Sequence, residues 1–358
     1  MGDRDRDLLA WAAGAIRQNF SGAQVGRVEA LRGDLSTRRF WRLHFEARTS
    51  SASAILVDLG PDDLPGYARA LNLVPHALNE PPWLTVHRFL VSLGIAVPAA
   101  YAVDPDRRAM LVEDVGEVAL VDAVRRDPAQ TADLFRIAVE LLVQFHVDGT
   151  RAIPVDLLPA TIAYDARLFR WEFKEFLNLG CAELGVDPNS LTPELQALTE
   201  ELGRLPRVFS HRDFHGQNLF VQHDKGVVRI RVIDFQDALM APAGQDLAVL
   251  MSTRDTATLV SPALEQRLLD FYYSGLARRS AVTLGMNEFI RSYRLCVLQH
   301  AMKMMGRFLM FERNGKQGYL GFVPHTIEQS RRMLGDELGR DFPRLAEAFG
   351  VSRGAIAG

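Results

Sequence analysis

Two apolar runs, Leu219-Phe220-Val221 and Val232-Ile233, flank the stretch Gln222-His223-Asp224-Lys225-Gly226, and no other feature restricts the fold of this chain so tightly. Such runs about a glycine-bearing turn predict a β-hairpin, set here between segments that read as helix. Its flanks restrict it further. His211-Arg212-Asp213-Phe214-His215-Gly216-Gln217-Asn218 precedes the first run, and Asp234-Phe235-Gln236 follows the second. Closing the hairpin sets Asn218 beside Asp234 and keeps Asp213 next to both. An amide oxygen and a carboxylate are hard ligands suited to Mg²⁺, and a further carboxylate within reach can orient an attacking hydroxyl. That is the set phosphoryl transfer demands, because the reaction needs positioning and charge neutralisation rather than covalent help. The pattern predicts Asp213 as catalytic base and Asn218 and Asp234 as metal ligands. A surface loop with capping aspartates is the plain alternative. A His-x-Asp with Asn five residues later arises by accident in roughly one chain of this size in a hundred, and the Asp-Phe one hairpin later makes accident rarer.

At 358 residues, 48% hydrophobic and 24% charged, the chain can bury a large core and is expected to form two lobes. A formal net charge of −3 argues against a general nucleic-acid binder, whose footprint is basic. The start, Met1-Gly2-Asp3-Arg4-Asp5-Arg6-Asp7, leads into no apolar signal core, and no apolar stretch reaches membrane length. A cytoplasmic protein is expected. Cys181 and Cys296 are far apart with no ligand-like neighbours, so buried thiols are expected rather than a disulfide or a zinc site.

Leu8, Leu9, Ala12, Ala13, Ile16 and Phe20 recur at helical spacing. Strand-like runs follow at 25–31, 40–45 and 54–59, with a polar loop at 32–37. Two helical segments come next, and further strands at 100–103 and 109–112. Beyond Glu113-Asp114-Val115-Gly116 the pattern turns to long helices, at 128–146, 166–184, 262–275, 287–311 and 325–334. No repeat, linker or low-complexity stretch interrupts them. The expectation is an α+β, protein-kinase-like bilobal fold: a small β-rich nucleotide-binding lobe at 1–113 and a larger, mainly helical catalytic and acceptor-binding lobe at 114–358.

The run His211-x-Asp213-x-His215-x-x-Asn218 resembles the aminoglycoside phosphotransferase and choline kinase superfamily, with His215 where protein kinases usually carry Lys. Within it, the chain looks most like the bacterial anomeric kinases of N-acetylmuramate and N-acetylglucosamine. The stretches that carry this are Gly33-Asp34-Leu35-Ser36-Thr37-Arg38-Arg39-Phe40-Trp41-Arg42, Asp234-Phe235-Gln236-Asp237-Ala238 and Gln299-His300-Ala301-Met302-Lys303-Met304-Met305-Gly306. The resemblance spans nearly the whole chain. It implies ATP and Mg²⁺ as cofactors, transfer to the C1 hydroxyl of an N-acetylated amino sugar, and a role in cell-wall sugar recycling. The implied partners are a nucleotide and a small sugar, with no nucleic acid, membrane or obligate protein. A kinase for an aminoglycoside, choline or other small alcohol is the second reading, and a nucleotide-binding pseudokinase the third.

One departure stands out. Protein kinases and many superfamily members carry a Lys on the third strand for the nucleotide phosphates, where this chain reads Ala54-Ile55-Leu56-Val57-Asp58. Arg38, Arg39 and Arg42 are the replacement cations on offer, since the guanidinium fork suits phosphate. Ser36 and Thr37 from the single-glycine loop and Glu113 complete the expected nucleotide contacts.

For the acceptor, the segment 164–172 offers Asp165, Glu172 and the aromatic Trp171, against the plain reading of a packed amphipathic helix. Asp237 either enters the acceptor cleft or bonds locally. Lys303 and Arg307, four apart on one helical face, suit a lactyl carboxylate or form a solvated basic face. His211 is expected to support the catalytic loop, and His215 to touch phosphate or fix the loop. Asp246 is expected to cap the helix after it or brace that loop, and His146 to be a satisfied core histidine.

Overall fold

The computed structural model describes residues 2–31, 38–47, 50–60, 64, 66–74, 78, 80–224 and 226–351. Ser36 and Thr37 lie outside the described residues. The chain begins with helix α1 (Asp3–Asn19), whose Leu8, Ala12, Ala15 and Ile16 are buried, the i, i+4, i+7, i+8 stripe of an amphipathic helix. Strands β1 (Gln24–Leu31), β2 (Arg39–Ala47) and β3 (Ser50–Asp58) follow, then helices α2 (Gly66–Ala70) and α3 (Pro82–Ser92), then strands β4 (Ala100–Asp104) and β5 (Ala109–Glu113). The five strands form one antiparallel sheet in the order β1-β2-β3-β5-β4.

Alternation along β2 decides which side chains meet the rest of the molecule. Trp41, Leu43 and Phe45 pack with α1 in one apolar cluster, each such side chain stabilising by roughly 1.5–3 kcal/mol when fully buried. Phe40 takes the opposite face, as does its partner Val57, and both belong to the larger core that continues into the helices. Arg42 shares the face of Phe40, opposite Ile55.

After β5 come α4 (Leu120–Arg126), α5 (Thr131–Gln144), α6 (Ala166–Glu172) and α7 (Pro188–Arg204). Next are strand β6 (Arg207–Ser210), the hairpin β7 (Leu219–Asp224) and β8 (Val227–Val232), and strand β9 (Leu239–Pro242). Helices α8 (Ala243–Ser252), α9 (Pro262–Arg278), α10 (Met286–Arg313) and α11 (Val323–Leu334) follow. The expected hairpin forms, with Leu219 opposite Val232 and Asp224 opposite Val227. Three features depart from expectation. The segment 166–184 is no single helix: a π-type turn at Phe176–Gly180 separates α6 from the short helix Cys181–Glu183. Helix α7, begun by the Asp187 cap and Pro188, was not foreseen, nor was the pairing of β6 with β9.

Helix α10 is the axis of the helical part, with Tyr293, Leu298, Met302, Met305 and Phe308 buried along it. It presses against the π-type turn so closely that a Cβ on Gly306 would lie 2.3 Å from the Phe176 amide nitrogen. Both cysteines are free and buried. Among the described residues, no helix is long and apolar enough to cross a membrane.

Candidate active site

The loop from His211 to Asn218 runs from β6 into β7, and a single buried carboxylate shapes its start. Asp246 accepts from the His211 amide at 2.9 Å through Oδ2 and from the Arg212 amide at 2.8 Å through Oδ1. Successive amides converging on one anion form a backbone nest, and Arg212 adopts φ +75° within it. Asp246 lies in the first turn of α8 rather than at its cap. His146 sets its Nε2 3.0 Å from the same carboxylate, and its Nδ1 lies 2.7 Å from the Tyr272 hydroxyl. His211 spans the loop and the hairpin, its Nε2 lying 3.0 Å from the Ile233 carbonyl.

The Arg212 side chain turns inward. Its guanidinium lies 4.1 Å over the Tyr67 ring, 3.3 Å from Glu172 and 3.7 Å from Asp237. Glu172 is the hub of this cluster. It faces Lys303 at 3.0 Å, accepts from Gln299 at 3.1 Å and from the Tyr164 hydroxyl, and lies 3.9 Å from Arg307. Burial alone would raise its pKa, yet Lys303, Arg212 and Arg307 hold it below the usual carboxylate range. Burial pushes Lys303 the other way, down to about 8 against the pull of Glu172. Asp213 also stays ionised: burial opposes its charge, but Arg212 and Lys303 lower its pKa. A carboxylate held anionic is what a group that takes a hydroxyl proton must be.

Asn218 and Asp234 are brought together at the base of the hairpin, where the Ile233 amide donates to the Asn218 carbonyl at 3.0 Å. The Asn218 side-chain Nδ2 donates to the Asp213 carbonyl at 2.9 Å, which leaves its Oδ1 available to an electropositive group. Asp234 adopts φ +62°, a conformation few non-glycine residues hold without local compensation. Its Oδ1 accepts from Arg38 at 3.0 Å and from Gln236 at 2.9 Å. Arg38 is the cation on this carboxylate, and an amide oxygen beside a carboxylate is a hard oxygen pair that fits a divalent ion. His215 braces the loop, its Nδ1 accepting from the Gln217 amide at 3.3 Å, and burial lowers its pKa.

Strand β3 carries no Lys, and two arginines lie one strand away, at β2. Arg38 sits just before β2 and reaches Asp234. Arg42, across from Ile55, bonds Asp114 at 2.6 Å, and also Glu117. Beside Asp213, a cavity of about 210 Å³ opens between the end of α8, α10 and α11, lined in part by His215, Arg254, His300, Arg307 and His325.

Residues 27–281 match the phosphotransferase enzyme family, APH. The chain belongs to that family. Over 331 residues it is 26% identical to the N-acetylmuramate/N-acetylglucosamine kinase of Pseudomonas putida, covering 90% of this chain and 86% of that one. The Pseudomonas aeruginosa protein of the same name is 28% identical over 273 residues, 74% of this chain and 75% of that one. Among solved structures, the choline kinase of Cryptosporidium parvum superposes with a TM-score of 0.61 at 12% identity, covering 96% of this chain and 100% of that one. The fold is therefore protein-kinase-like, and the chain is an enzyme of phosphoryl transfer.

Several residues anticipated for this phosphotransferase site lie elsewhere. Arg39 faces α1, its guanidinium on Asp58 at 2.7 Å and Asp5 at 2.6 Å, because neighbouring residues of a strand point to opposite faces. The Glu113 carboxylate ties the sheet to the hairpin through Arg231 at 2.7 Å and accepts from the Ala99 amide at 3.0 Å. Asp165 caps α6, accepting from the amides of Arg167 and Leu168. Glu172 and Lys303 are consumed by each other and by the cluster around them. Asp237 lies 3.7 Å from the Arg212 guanidinium, and burial, with Asp213 and Asp234 nearby, raises its pKa to about 6. Tyr67, Arg254 and His300 were assigned no role from sequence. His300 stands in a stretch that carried the family resemblance, whereas nothing in the residues around Tyr67 or Arg254 signals a site.

Proposed function

We propose that this enzyme is an ATP-dependent kinase that phosphorylates the anomeric C1 hydroxyl of N-acetylmuramate, N-acetylglucosamine or both. Its place would be the cytoplasm, in the recycling of cell-wall amino sugars. The observation that carries the reading is the meeting of Asp213, Asn218 and Asp234 at one hairpin, in a chain similar over most of its length to kinases named for those sugars. The chain then divides into a nucleotide lobe at 1–113 and a catalytic and acceptor lobe at 114–358.

In this mechanism Asp213 orients the sugar hydroxyl and accepts its proton as the oxygen bonds to the γ-phosphorus and the bond from that phosphorus to ADP breaks. Asn218 and Asp234 would hold Mg²⁺, which supplies charge neutralisation on the nucleotide phosphates. Arg38 is the cation for the phosphates in place of a strand lysine, and Arg42 is held by Asp114 and Glu117 where the sheet gives way to the helices. Ser36 and Thr37 complete the nucleotide contacts through the loop.

Phosphorus NMR on ATP, Mg²⁺ and each sugar tests this directly. A new anomeric phosphate resonance is expected with the reducing sugars and none with their 1-O-methyl glycosides; equal reaction of the glycosides would exclude transfer at C1. Asp213→Asn is expected to cut kcat by at least about a thousandfold, in the upper range for a catalytic base, while nucleotide affinity changes little. A variant that keeps a tenth of wild-type turnover would remove Asp213 from the role of base.

A further inference from the structure

The walls of the cavity beside Asp213 carry a charge pattern that bears on which acceptors enter. An alcohol that is also a cation needs carboxylates or an open aromatic cage to receive it. The aromatic cage is present but filled from within. The Arg254 guanidinium lies 4.6 Å from the ring centre of Phe322, 5.6 Å from that of Tyr319 and 5.7 Å from that of Phe308. Asp255, the carboxylate lining this cavity besides Asp213, is paired with that same guanidinium at 3.4 Å. The cage and Asp255 are thus already engaged by the chain's own cation, which leaves Asp213, the group that faces the reacting hydroxyl, as the other carboxylate of the lining.

Arg307, on the α10 wall, is in the opposite situation. The carboxylate near it is Glu172 at 3.9 Å, whose two oxygens already serve Lys303, Arg212, Tyr164 and Gln299. Arg307 therefore brings to the cavity a five-donor fork that Glu172 does not saturate. Two turns earlier on the same helix, His300 is 8% exposed and its Nδ1 has no hydrogen-bond partner. A buried polar atom left unpaired at a cavity wall marks a position where a ligand atom completes the hydrogen bond. Burial lowers the His300 pKa to about 3, so the ring is neutral and suits a hydroxyl or an amide.

We propose that this cavity is built for an acceptor bearing an anion, with Arg307 reading a carboxylate on it, and that it turns cationic alcohols away. The inference deepens the sugar-kinase reading and rests on it: of the two sugars, N-acetylmuramate carries such a group.

The test measures kcat/KM for N-acetylmuramate, its methyl ester, N-acetylglucosamine and choline with the wild-type enzyme, R307M and R307K. A charge-assisted hydrogen bond predicts that the wild type prefers the acid to its ester by about tenfold to a hundredfold. R307M is expected to bring that ratio close to one, R307K to restore part of it, and choline to remain unphosphorylated. The ester comparison needs no substitution, so it decides the matter even if R307M fails to fold. Equal use of acid and ester by the wild type, an unchanged ratio in R307M, or efficient phosphorylation of choline overturns the proposal. If the wild type transfers phosphate to neither sugar, the sugar-kinase reading fails separately. Calorimetric titration with the acid and the ester then decides the Arg307 question by the same ratio, and absence of binding by both overturns it.

Discussion

Replacing Glu172 by Gln should cost far more stability than its distance from Asp213 suggests. The Glu172 side chain has no solvent exposure and that of Lys303 only 4%, so the pair is dry and neither charge can turn to water. Gln keeps acceptors and donors for Tyr164 and Gln299 but leaves Lys303 and Arg212 without their anion. Removing one partner of a buried ion pair costs about 3–5 kcal/mol. The pH dependence separates this cause from simple loss of packing. The folded-state pKa of Lys303, about 8, lies below its unfolded value. Burying its charge therefore destabilises the fold at pH below 8, and stability is regained as pH rises through 8 and the proton leaves. Without Glu172 that pKa falls further, so the penalty below 8 grows, whereas near pH 9 Lys303 is largely neutral in both proteins. The deficit of E172Q should accordingly be larger at pH 7 than at pH 9, where the part owed to Arg212 is left. Urea unfolding followed by circular dichroism at the two pH values reads both quantities. A double cycle with K303M should give a coupling of at least about 1 kcal/mol. A loss below about 1 kcal/mol at pH 7, or a deficit that grows toward pH 9, would refute the picture of a dry, mutually dependent cluster.

Three further outcomes follow from the geometry. Gly306→Ala places a Cβ 2.3 Å from the Phe176 amide nitrogen and 2.4 Å from the Glu175 carbonyl carbon. Backbone cannot yield as a side-chain tip does, so a loss of about 3 kcal/mol or more is expected in the same unfolding assay. Asp246→Ala strips two buried amides and His146 of their acceptor, a penalty of about 1–3 kcal/mol for each group left unpaired. Steady-state kinetics should show kcat falling at least about tenfold, with nucleotide KM changed less than about threefold; parallel changes in both would argue against a role confined to the catalytic loop. Arg38→Met should raise the KM for nucleotide about tenfold or more, as loss of a charge-assisted contact does, while the acceptor KM moves little. An unaltered nucleotide KM would leave the missing strand lysine without this substitute.

The hairpin was legible because its signal is local: apolar runs and a turn set its register, and the spacing of Asn218 and Asp234 follows from that register alone. The antiparallel sheet and the first helix were legible for the same reason. Glu172 was misread because its partners, Arg212, Lys303, Tyr164 and Gln299, come from distant parts of the chain, and a sequence window around it shows only a polar residue at a helix end. Arg39 was grouped with Arg38 because adjacent arginines look alike in sequence, while strand geometry sends them to opposite faces. The break after α6 escaped notice because apolar residues recur at helical spacing across 166–184, and one glycine, Gly180, inside such a pattern is commonly tolerated. It is the close approach of α10 at Gly306 that accompanies the wider turn there. His300 and Arg254 acquire meaning only from a cavity that several helices enclose.

Helix α10 holds His300, Lys303, Gly306 and Arg307 within about two turns, so one rigid rod serves three tasks at once. Its outer side lines the cavity beside Asp213, its inward side neutralises Glu172, and its small residue seats it against Phe176. An engineer who wants a roomier or differently charged specificity pocket therefore has no freedom to slide or tilt the rod, because any displacement large enough to matter would unseat the glycine and strand the lysine together. Retargeting has to proceed by exchanging side chains on the lining face, or by rebuilding the turn that carries Arg254.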